Sequence, residues 1–336
     1  MILAAVAATL AACSNEEGMT IENRDPDVIY LSGGVDAVST TRVVNYASEF
    51  PYDDISVVAR LTENTESWED LYIDHQTANV TDKTGNFMSL KWPDEQTQHW
   101  PKQHKELQFL AYSPISNAAM TKLTQNKMDI QLSADIPDIL VANKEEAEGS
   151  EDIKGKKPER DGEICEVRFA FKHILSQLII SVKGNSEQTT IKQLKITIDK
   201  SQLNKTFDLT ADLTGTLVQK MVPGWSAGTE AGEDLVYTFD YSNQDLQLEL
   251  APILLFPGIE KYVKIDITIQ EKGHEAIQMP TVTLSDAKTD EDKGFGLLAT
   301  GKSTRVAITI ADLQINNMVG TLTDWGFNGN YSTTIE

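Results

Sequence analysis

One segment has the spacing of a catalytic motif: Gly224-Trp225-Ser226-Ala227-Gly228 matches the GxSxG nucleophile elbow of hydrolases. That motif needs a strand before the serine and a helix after it, because the serine must sit on a tight turn between them. Here Pro223 precedes the motif, and residues 229–234 are acidic, contain a glycine and lack helical periodicity. His274 follows in the order of a hydrolase triad, but chain order alone is weak support. We therefore interpret Ser226 as part of a turn and expect no catalytic residues and no enzyme activity.

Metal and cofactor motifs are also incomplete. The five histidines form no HExxH pattern, and His173 lies between two apolar runs, where a hydrogen-bonded structural role is expected. The acidic run at Asp290, Glu291 and Asp292 lacks the spacing of an EF-hand, and the Gly294-Phe295-Gly296 fragment is too short to cradle a phosphate. We expect no metal site and no cofactor.

The N-terminus predicts export with a lipid anchor. Residues 1–12 are an uncharged apolar run, too short for a stable membrane span and typical of a secretory signal peptide. The following Leu10-Ala11-Ala12-Cys13 resembles the bacterial lipobox, in which the signal is cut before the cysteine and the thiol is acylated. This resemblance implies lipidation at Cys13, with acyl chains replacing the removed anchor. A polar tether follows Cys13 directly.

Composition narrows the class of protein. The 336 residues suffice for about two domains, and 29 basic against 51 acidic residues give a net charge of −22. Because such a chain repels phosphate backbones, nucleic acid is excluded as a partner. Two cysteines, Cys13 and Cys165, are too few for a disulfide framework or a cysteine-rich zinc site.

The remaining chain has the alternation of half-buried β-strands. Apolar residues alternate with polar ones in five segments, which lie at 166–171, 194–198, 246–250, 263–270 and 305–310. Only short helical turns are expected, near 66–72 and 118–128. Many strands without helical crossovers predict antiparallel sandwiches. The charged stretch 144–163 is expected to be a mobile surface loop or an excursion between strands.

Several stretches together resemble the fimbrillin family, the type V pilins and Mfa-like lipoproteins of Bacteroidetes bacteria. They occur in the family's order over most of the chain: the lipobox ending at Cys13, Trp100-Pro101, LQFLAYSP ending at Pro114, DILVA at 138–142, FAFKHILSQLIISV at 169–182, APILLFPG at 251–258, Gly301 with its alternating strand through Ile310, and Thr323-Asp324-Trp325. The resemblance implies an all-β chain with two tandem transthyretin-like antiparallel β-sandwich domains. It also implies a cell-surface, outer-membrane lipoprotein that becomes part of a fimbrium.

The resemblance also implies a route of assembly. A trypsin-like protease removes the first strand, and a strand from the next subunit fills the groove by donor-strand complementation, a form of β-augmentation. In this chain the processing arginine falls at Arg42, after a first strand that includes Val28-Ile29-Tyr30-Leu31. Arg24 is the second option, although Asp25-Pro26 follows it. The donor strand is expected either around 313–322 or in the tail after Trp325.

These inferences divide the chain into four parts. Residues 1–12 are the signal peptide and 13–42 the tether and first strand, while 43–173 and 174–336 are the two sandwich domains. Cleavage after Arg42 removes six acids and two arginines from the lipoprotein, which changes its charge from −22 to −18.

Two functions follow from this reading. The first is a structural fimbrial subunit whose partners are other pilin subunits, held to the outer membrane through Cys13 until it is processed. The second is a surface lipoprotein that does not polymerise: a pilus anchor or tip, or a glycan- or host-binding module that uses exposed Trp92, Trp100 or Trp225. The sequence leaves the choice between them open.

Overall fold

The computed structural model describes residues 24–35, 50–63, 68–84, 87–115, 120–124, 126–144, 152–160, 163–184, 189–211, 224–241, 247–287, 297–311 and 314–324. These residues fall into two compact units. The described parts of 24–35, 50–115 and 141–171 form the first unit, and those of 120–140 and 172–324 form the second. No helix among these residues is long and apolar enough to cross a membrane.

The described chain consists almost entirely of strands. In chain order they are β1 (Tyr30–Val35), β2 (Asp54–Leu61), β3 (Leu71–Thr84), β4 (Phe87–Lys91), β5 (Leu107–Ser113), β6 (Met120–Thr124), β7 (Lys127–Gln131), β8 (Leu140–Ala142), β9 (Lys154–Gly155), β10 (Glu166–His173), β11 (Ser176–Gly184), β12 (Thr189–Ile198), β13 (Asn204–Asp208), β14 (Trp225–Ala227), β15 (Leu235–Asp240), β16 (Gln247–Glu249), β17 (Ile253–Leu255), β18 (Val263–Glu271), β19 (Ala276–Gln278), β20 (Val282–Thr283), β21 (Lys302–Ala311) and β22 (Gln314–Asp324). Single 3₁₀ turns occur at Lys102–His104, Lys200–Gln202, Glu260–Tyr262 and Leu284–Asp286.

The first unit is built on one sheet that closes on itself. Its strands follow the order β2-β3-β4-β1-β10-β8-β5, and β5 pairs back onto β2, while the short β9 adds to β5. Alternation explains the core: Val167, Phe169 and Phe171 of β10 are buried, and the residues between them are half-exposed. Every second side chain of a strand points to the same face, so this spacing sends all three to the interior.

The second unit contains two five-stranded sheets whose strands alternate in the same way. One sheet has the order β16-β11-β21-β22 with β17 also on β11, and the other has the order β15-β12-β18-β19 with β20 also on β18. The buried positions of β18 are Val263, Ile265, Ile267 and Ile269, all fully shielded from solvent. The all-β class expected from the sequence is confirmed.

Two strand pairs are parallel, although the sequence predicted antiparallel sheets. β1 runs parallel to β10 from Tyr30↔Glu166 to Val35↔Phe171, and β11 runs parallel to β21 from Gln177↔Ser303 to Gly184↔Ile310. All the other strand pairs whose residue register is described are antiparallel. Parallel neighbours need a long connection, and each of these pairs is separated by more than a hundred residues of chain.

Residues 120–140 lie in the second unit, whereas the sequence assigned them to the first domain. The reason is strand pairing: β7 forms five antiparallel register pairs with β13, from Asn204↔Gln131 to Asp208↔Lys127. Together β14, β13, β7 and β6 make a separate four-stranded sheet. Within this sheet β6 and β7 form an antiparallel hairpin. The helical turn expected near 118–128 was therefore wrong for the described part of that segment.

Where it is described, the charged stretch 144–163 contains backbone pairing, which contradicts a mobile loop and fits an excursion between strands. Lys144 bridges to Asp152, and β9 pairs with β5 through Leu107↔Gly155 and Gln108↔Lys154. Ile153 is 1% exposed. One apolar residue with backbone pairing on either side is enough to hold this part of a highly charged segment onto the sheet.

The burial pattern of β18 makes a direct test of the second unit. Replacing Ile265 by Ala is expected to lower the free energy of unfolding by about 2–5 kcal/mol, because it leaves a cavity in a closely packed core. The matched change Lys264→Ala on the exposed face of the same strand should stay within about 0.5 kcal/mol of the parent. Urea unfolding of the two variants measures the difference, and equal effects would contradict the assigned faces.

Candidate functional site

β1 occupies the centre of the first unit's sheet. On one side it pairs antiparallel with β4 through Leu31↔Leu90, Ser32↔Ser89 and Gly33↔Met88. On the other side it pairs in parallel with β10 over all six of its residues. A central strand with both edges paired is integral to the sheet, and its loss would open the sheet between β4 and β10.

The inward side chains of the β1 segment are apolar and almost completely buried. Ile29, Leu31 and Val35 are 0%, 4% and 4% exposed. They contribute to a core rich in aromatic rings, in which Phe169 lies 6.1 Å from Phe171, measured between ring centroids. At about 1.5–3 kcal/mol for each fully buried aliphatic side chain, these three residues are a substantial share of what holds the segment in place.

Hydrogen bonds hold the residues just before β1. The buried indole Nε1 of Trp92 donates to the carbonyl oxygen of Ile29 at 2.7 Å. The backbone N–H of Ile29 donates to the carbonyl of Gln98 at 2.9 Å, and the N–H of Trp100 donates to the carbonyl of Asp27 at 2.8 Å. Without the Trp92 indole, the buried carbonyl of Ile29 would lose this hydrogen bond, and an unsatisfied buried carbonyl costs about 1–3 kcal/mol.

Charged contacts attach the outer end of the same segment. The Lys157 ammonium forms an ion pair with Asp27, and its hydrogen bond lowers the pKa of the Asp27 carboxyl below the usual range. The Arg24 guanidinium lies over the ring of Tyr30, 5.0 Å from the ring centroid. Both contacts are near the surface, so they orient the segment and contribute less to its affinity than the buried strand does.

Gly33 is the tightest point of β1. A Cβ atom at this position would lie 2.8 Å from the backbone carbonyl oxygen of Phe169 and 2.9 Å from Cε of Met88. The methionine end can move, but the backbone oxygen of a paired strand cannot. Sequence reasoning missed this residue, although a glycine inside an apolar strand is a known signal of close backbone approach.

The processing and lipidation residues predicted from sequence, Arg42 and Cys13, lie outside the described residues, and both stay predictions. Chain order still locates Arg42 relative to the site: it falls after the end of β1 and before β2. The chain is again described from Phe50, whose ring packs 5.2 Å from that of Phe171. A cut after Arg42 would therefore break the peptide connection between β1 and β2.

The first strand is found two residues later than the segment named from sequence. Val28 forms an isolated bridge with His99, Ile29 lies between, and the regular strand is Tyr30–Val35. Of the two donor candidates, the stretch around 313–322 lies, where it is described, in β22, which pairs with β21 in the second unit. The tail after Trp325 lies outside the described part of the chain.

Alternative sites are not assembled in the described residues. Ser226 lies within the short strand β14, paired with Thr206 of β13, so the turn expected there was wrong and a strand-to-helix elbow is not formed. No group of three or more potential metal ligands is found among the described residues. The structural role expected for His173 is confirmed, because its Nδ1 lies 2.7 Å from Oδ2 of Asp138.

The tryptophans proposed for ligand binding are not a binding surface. Trp92 and Trp100 are each 5% exposed, so the expectation of exposed rings was wrong for both. Trp100 packs edge-on to Phe109, with ring centroids 6.0 Å apart. Trp225 is half-buried in the second unit, 4.8 Å from Phe207 and 5.0 Å from Phe256 between ring centroids. Because their neighbours are apolar side chains, these rings contribute to the packing of the cores.

Comparison with known proteins identifies the fold. A protein proposed to act in cell adhesion from Bacteroides uniformis is 15% identical, with 89% of this chain and 97% of that chain covered and a TM-score of 0.54. A second such protein, from Bacteroides ovatus, is 15% identical with 90% and 99% covered and a TM-score of 0.51. A fimbrial protein from Bacteroides vulgatus is 13% identical with 89% and 99% covered and a TM-score of 0.51. None of the curated proteins matches the sequence significantly.

The two β-rich units and the centrally inserted first strand thus define an all-β protein with the fold of these surface proteins. The fimbrillin-like family profile matches residues 41–325, which is most of the chain. The chain belongs to the fimbrillin-like family, as its sequence motifs indicated. It is therefore a fimbrial protein of the cell surface.

The close approach at Gly33 generates a stability test. Gly33→Val is expected to lower the free energy of unfolding of the unprocessed protein by about 1–3 kcal/mol or more, because the added atoms meet a backbone oxygen that cannot retreat. Ser32→Val on the other face of the same strand is the control and should have a much smaller effect. Urea unfolding checks both, and a Gly33→Val protein as stable as the parent would refute the tight contact.

Proposed function

We propose that this protein is a structural subunit of a cell-surface fimbria that assembles by exchanging its first strand for a strand of another subunit. The observation that carries the proposal is the position of β1. It is paired on both edges in the middle of a sheet, yet chain order places the predicted cleavage site Arg42 between it and the rest of the unit.

Removal of β1 would create a strong binding site for a strand. The inner edges of β4 and β10 would lose their backbone partners, and the pocket filled by Ile29, Leu31 and Val35 would be open to water. An exposed sheet edge beside an empty apolar groove favours pairing with another chain. An incoming strand would restore both the hydrogen bonds and the buried apolar area.

Export would precede assembly. In this proposal the signal of residues 1–12 is removed, Cys13 carries the lipid, and the lipoprotein reaches the outer membrane with β1 in place. The filled groove keeps the precursor from polymerising early. Cleavage after Arg42 then releases both the lipid anchor and the strand, so one cut couples detachment to activation.

A variant at the predicted cleavage site tests the proposal. Trypsin treatment of the surface-extracted protein is expected to give a mature N-terminus at Val43 and a ladder of polymers on a denaturing gel run without heating. Arg42→Ala should abolish both, since the protease needs the basic residue. Arg24→Ala is the matched control and should be processed like the parent. N-terminal sequencing and the gel together provide the readout.

The opposite result points to the other function class. Protein that retains lipid on Cys13 and stays monomeric after protease treatment would overturn the polymerising subunit. It would instead support a surface lipoprotein that does not polymerise, such as an anchor or a tip.

A further inference from the structure

The two ends of β1 are held very differently by backbone pairing. At its C-terminal end, Gly34 and Val35 pair only with β10 in the described register, because the pairing with β4 ends one residue earlier, at Gly33. Before its N-terminal end, residues 27–29 form a further set of contacts with the chain that follows β4. We call residues 92–104 of that chain the latch loop. The segment is therefore anchored most heavily at its N-terminal end.

The latch loop holds the segment through three hydrogen bonds. Residues 27–29 lie antiparallel to residues 98–100, joined by one bridge and by two backbone hydrogen bonds of 2.8 and 2.9 Å. The third bond runs from the buried indole Nε1 of Trp92 to the carbonyl oxygen of Ile29, at 2.7 Å. Since the indole is shielded from water, the Ile29 carbonyl cannot exchange this bond for one to solvent without moving out of the protein.

The latch loop is itself fixed to the first unit. The Tyr72 hydroxyl on β3 donates to the carbonyl of His99 at 2.9 Å. At the far end of the loop, Nδ1 of His104 lies 3.2 Å from the carbonyl oxygen of Lys157. Gln103 and His104 both have left-handed φ angles, of 69° and 54°. Residues other than glycine keep such angles only where the surrounding structure enforces them, so the loop is a firm support.

We propose that the latch loop sets the direction in which β1 leaves the sheet: the strand opens from Val35 towards Ile29, and the latch contacts break last. Opening from Ile29 would break three latch hydrogen bonds before any of the sheet is freed. Opening from Val35 frees backbone groups of β10 at once, and a competing strand can pair with them. This inference rests on the proposed function and adds the direction of the exchange.

The place of the predicted cut agrees with this direction. Arg42 follows Val35 in the chain, so the uncut protein ties the weakly paired end of β1 to β2. Cleavage after Arg42 removes that tie at the end where opening starts. A cut at Arg24 would instead free the end that the latch loop holds. Stepwise replacement from Val35 also keeps most of the apolar groove covered while the strands change places.

Fluorescent synthetic copies of the first strand test the direction. The full-length protein is treated with trypsin, the trypsin is inhibited, and mass spectrometry confirms an N-terminus at Val43. Fluorescence anisotropy then gives the initial rate at which each copy enters. A copy of residues 29–35, which lacks the latch segment, should enter within about twofold of the rate of a 24–35 copy. A 24–32 copy should enter about tenfold more slowly, since it lacks the residues that start the pairing.

Variants of the latch supply a second readout with the same 24–35 copy. Trp92→Phe keeps an aromatic ring but removes the indole N–H, so displacement of β1 should be about tenfold faster. Tyr72→Phe, which alters only an exposed hydroxyl, should speed displacement in the same direction by a smaller factor. Trp68→Phe is the matched control, because Trp68 is also buried in the first unit but makes no hydrogen bond to residues 27–29 among the described contacts. Its displacement rate should equal that of the parent.

The outcomes separate the latch from the proposed function. Entry of the 24–32 copy as fast as, or faster than, the 29–35 copy would overturn the direction and leave strand exchange intact. Parental displacement rates in both Trp92→Phe and Tyr72→Phe would overturn the latch, as would an equal acceleration in Trp68→Phe. A parent protein that is cut after Arg42 and takes up none of the copies would overturn the proposed function itself.

Discussion

The insertion of β1 between β4 and β10 is the constraint on which the rest of the first unit depends. The strand supplies backbone partners to both neighbours and fills the core with three nearly buried apolar side chains. It does so at a point, Gly33, where the paired backbones leave no space for a side chain. The same features that make β1 necessary for a closed sheet would make its place a specific binding site for another strand if β1 were removed.

In the proposed assembly, the attraction between subunits would come from backbone pairing and apolar burial, because charge opposes association. The whole chain carries −22, and a processed subunit would still carry −18. Repulsion between exposed like charges is screened over about 8–10 Å at ordinary ionic strength, so salt should favour association. The groove itself is apolar, because the side chains that fill it are those of Ile29, Leu31 and Val35.

The sequence alone predicted the all-β class, because period-2 alternation is a local signal and strands such as β18 display it over their full length. It misplaced residues 120–140, since the pairing of β7 with β13 joins segments more than seventy residues apart and leaves no local trace. It wrongly expected Trp92 to be exposed, because the partner of its indole, the Ile29 carbonyl, lies 63 residues earlier in the chain. Gly33 could have been noticed as a glycine in a strand, but the atom that makes it necessary belongs to β10.

In the proposed assembly, β1 leaves its groove when subunits join. Quantitative mass spectrometry can test this in purified polymers that have been completely dissociated, with the unprocessed monomer as the reference. The quantity measured is the amount of peptide from residues 25–35 relative to peptides from the rest of the same chain. If β1 leaves, about one copy is expected in the monomer and essentially none in the polymer, apart from an uncut subunit. One copy of that peptide for every subunit in the polymer would contradict it.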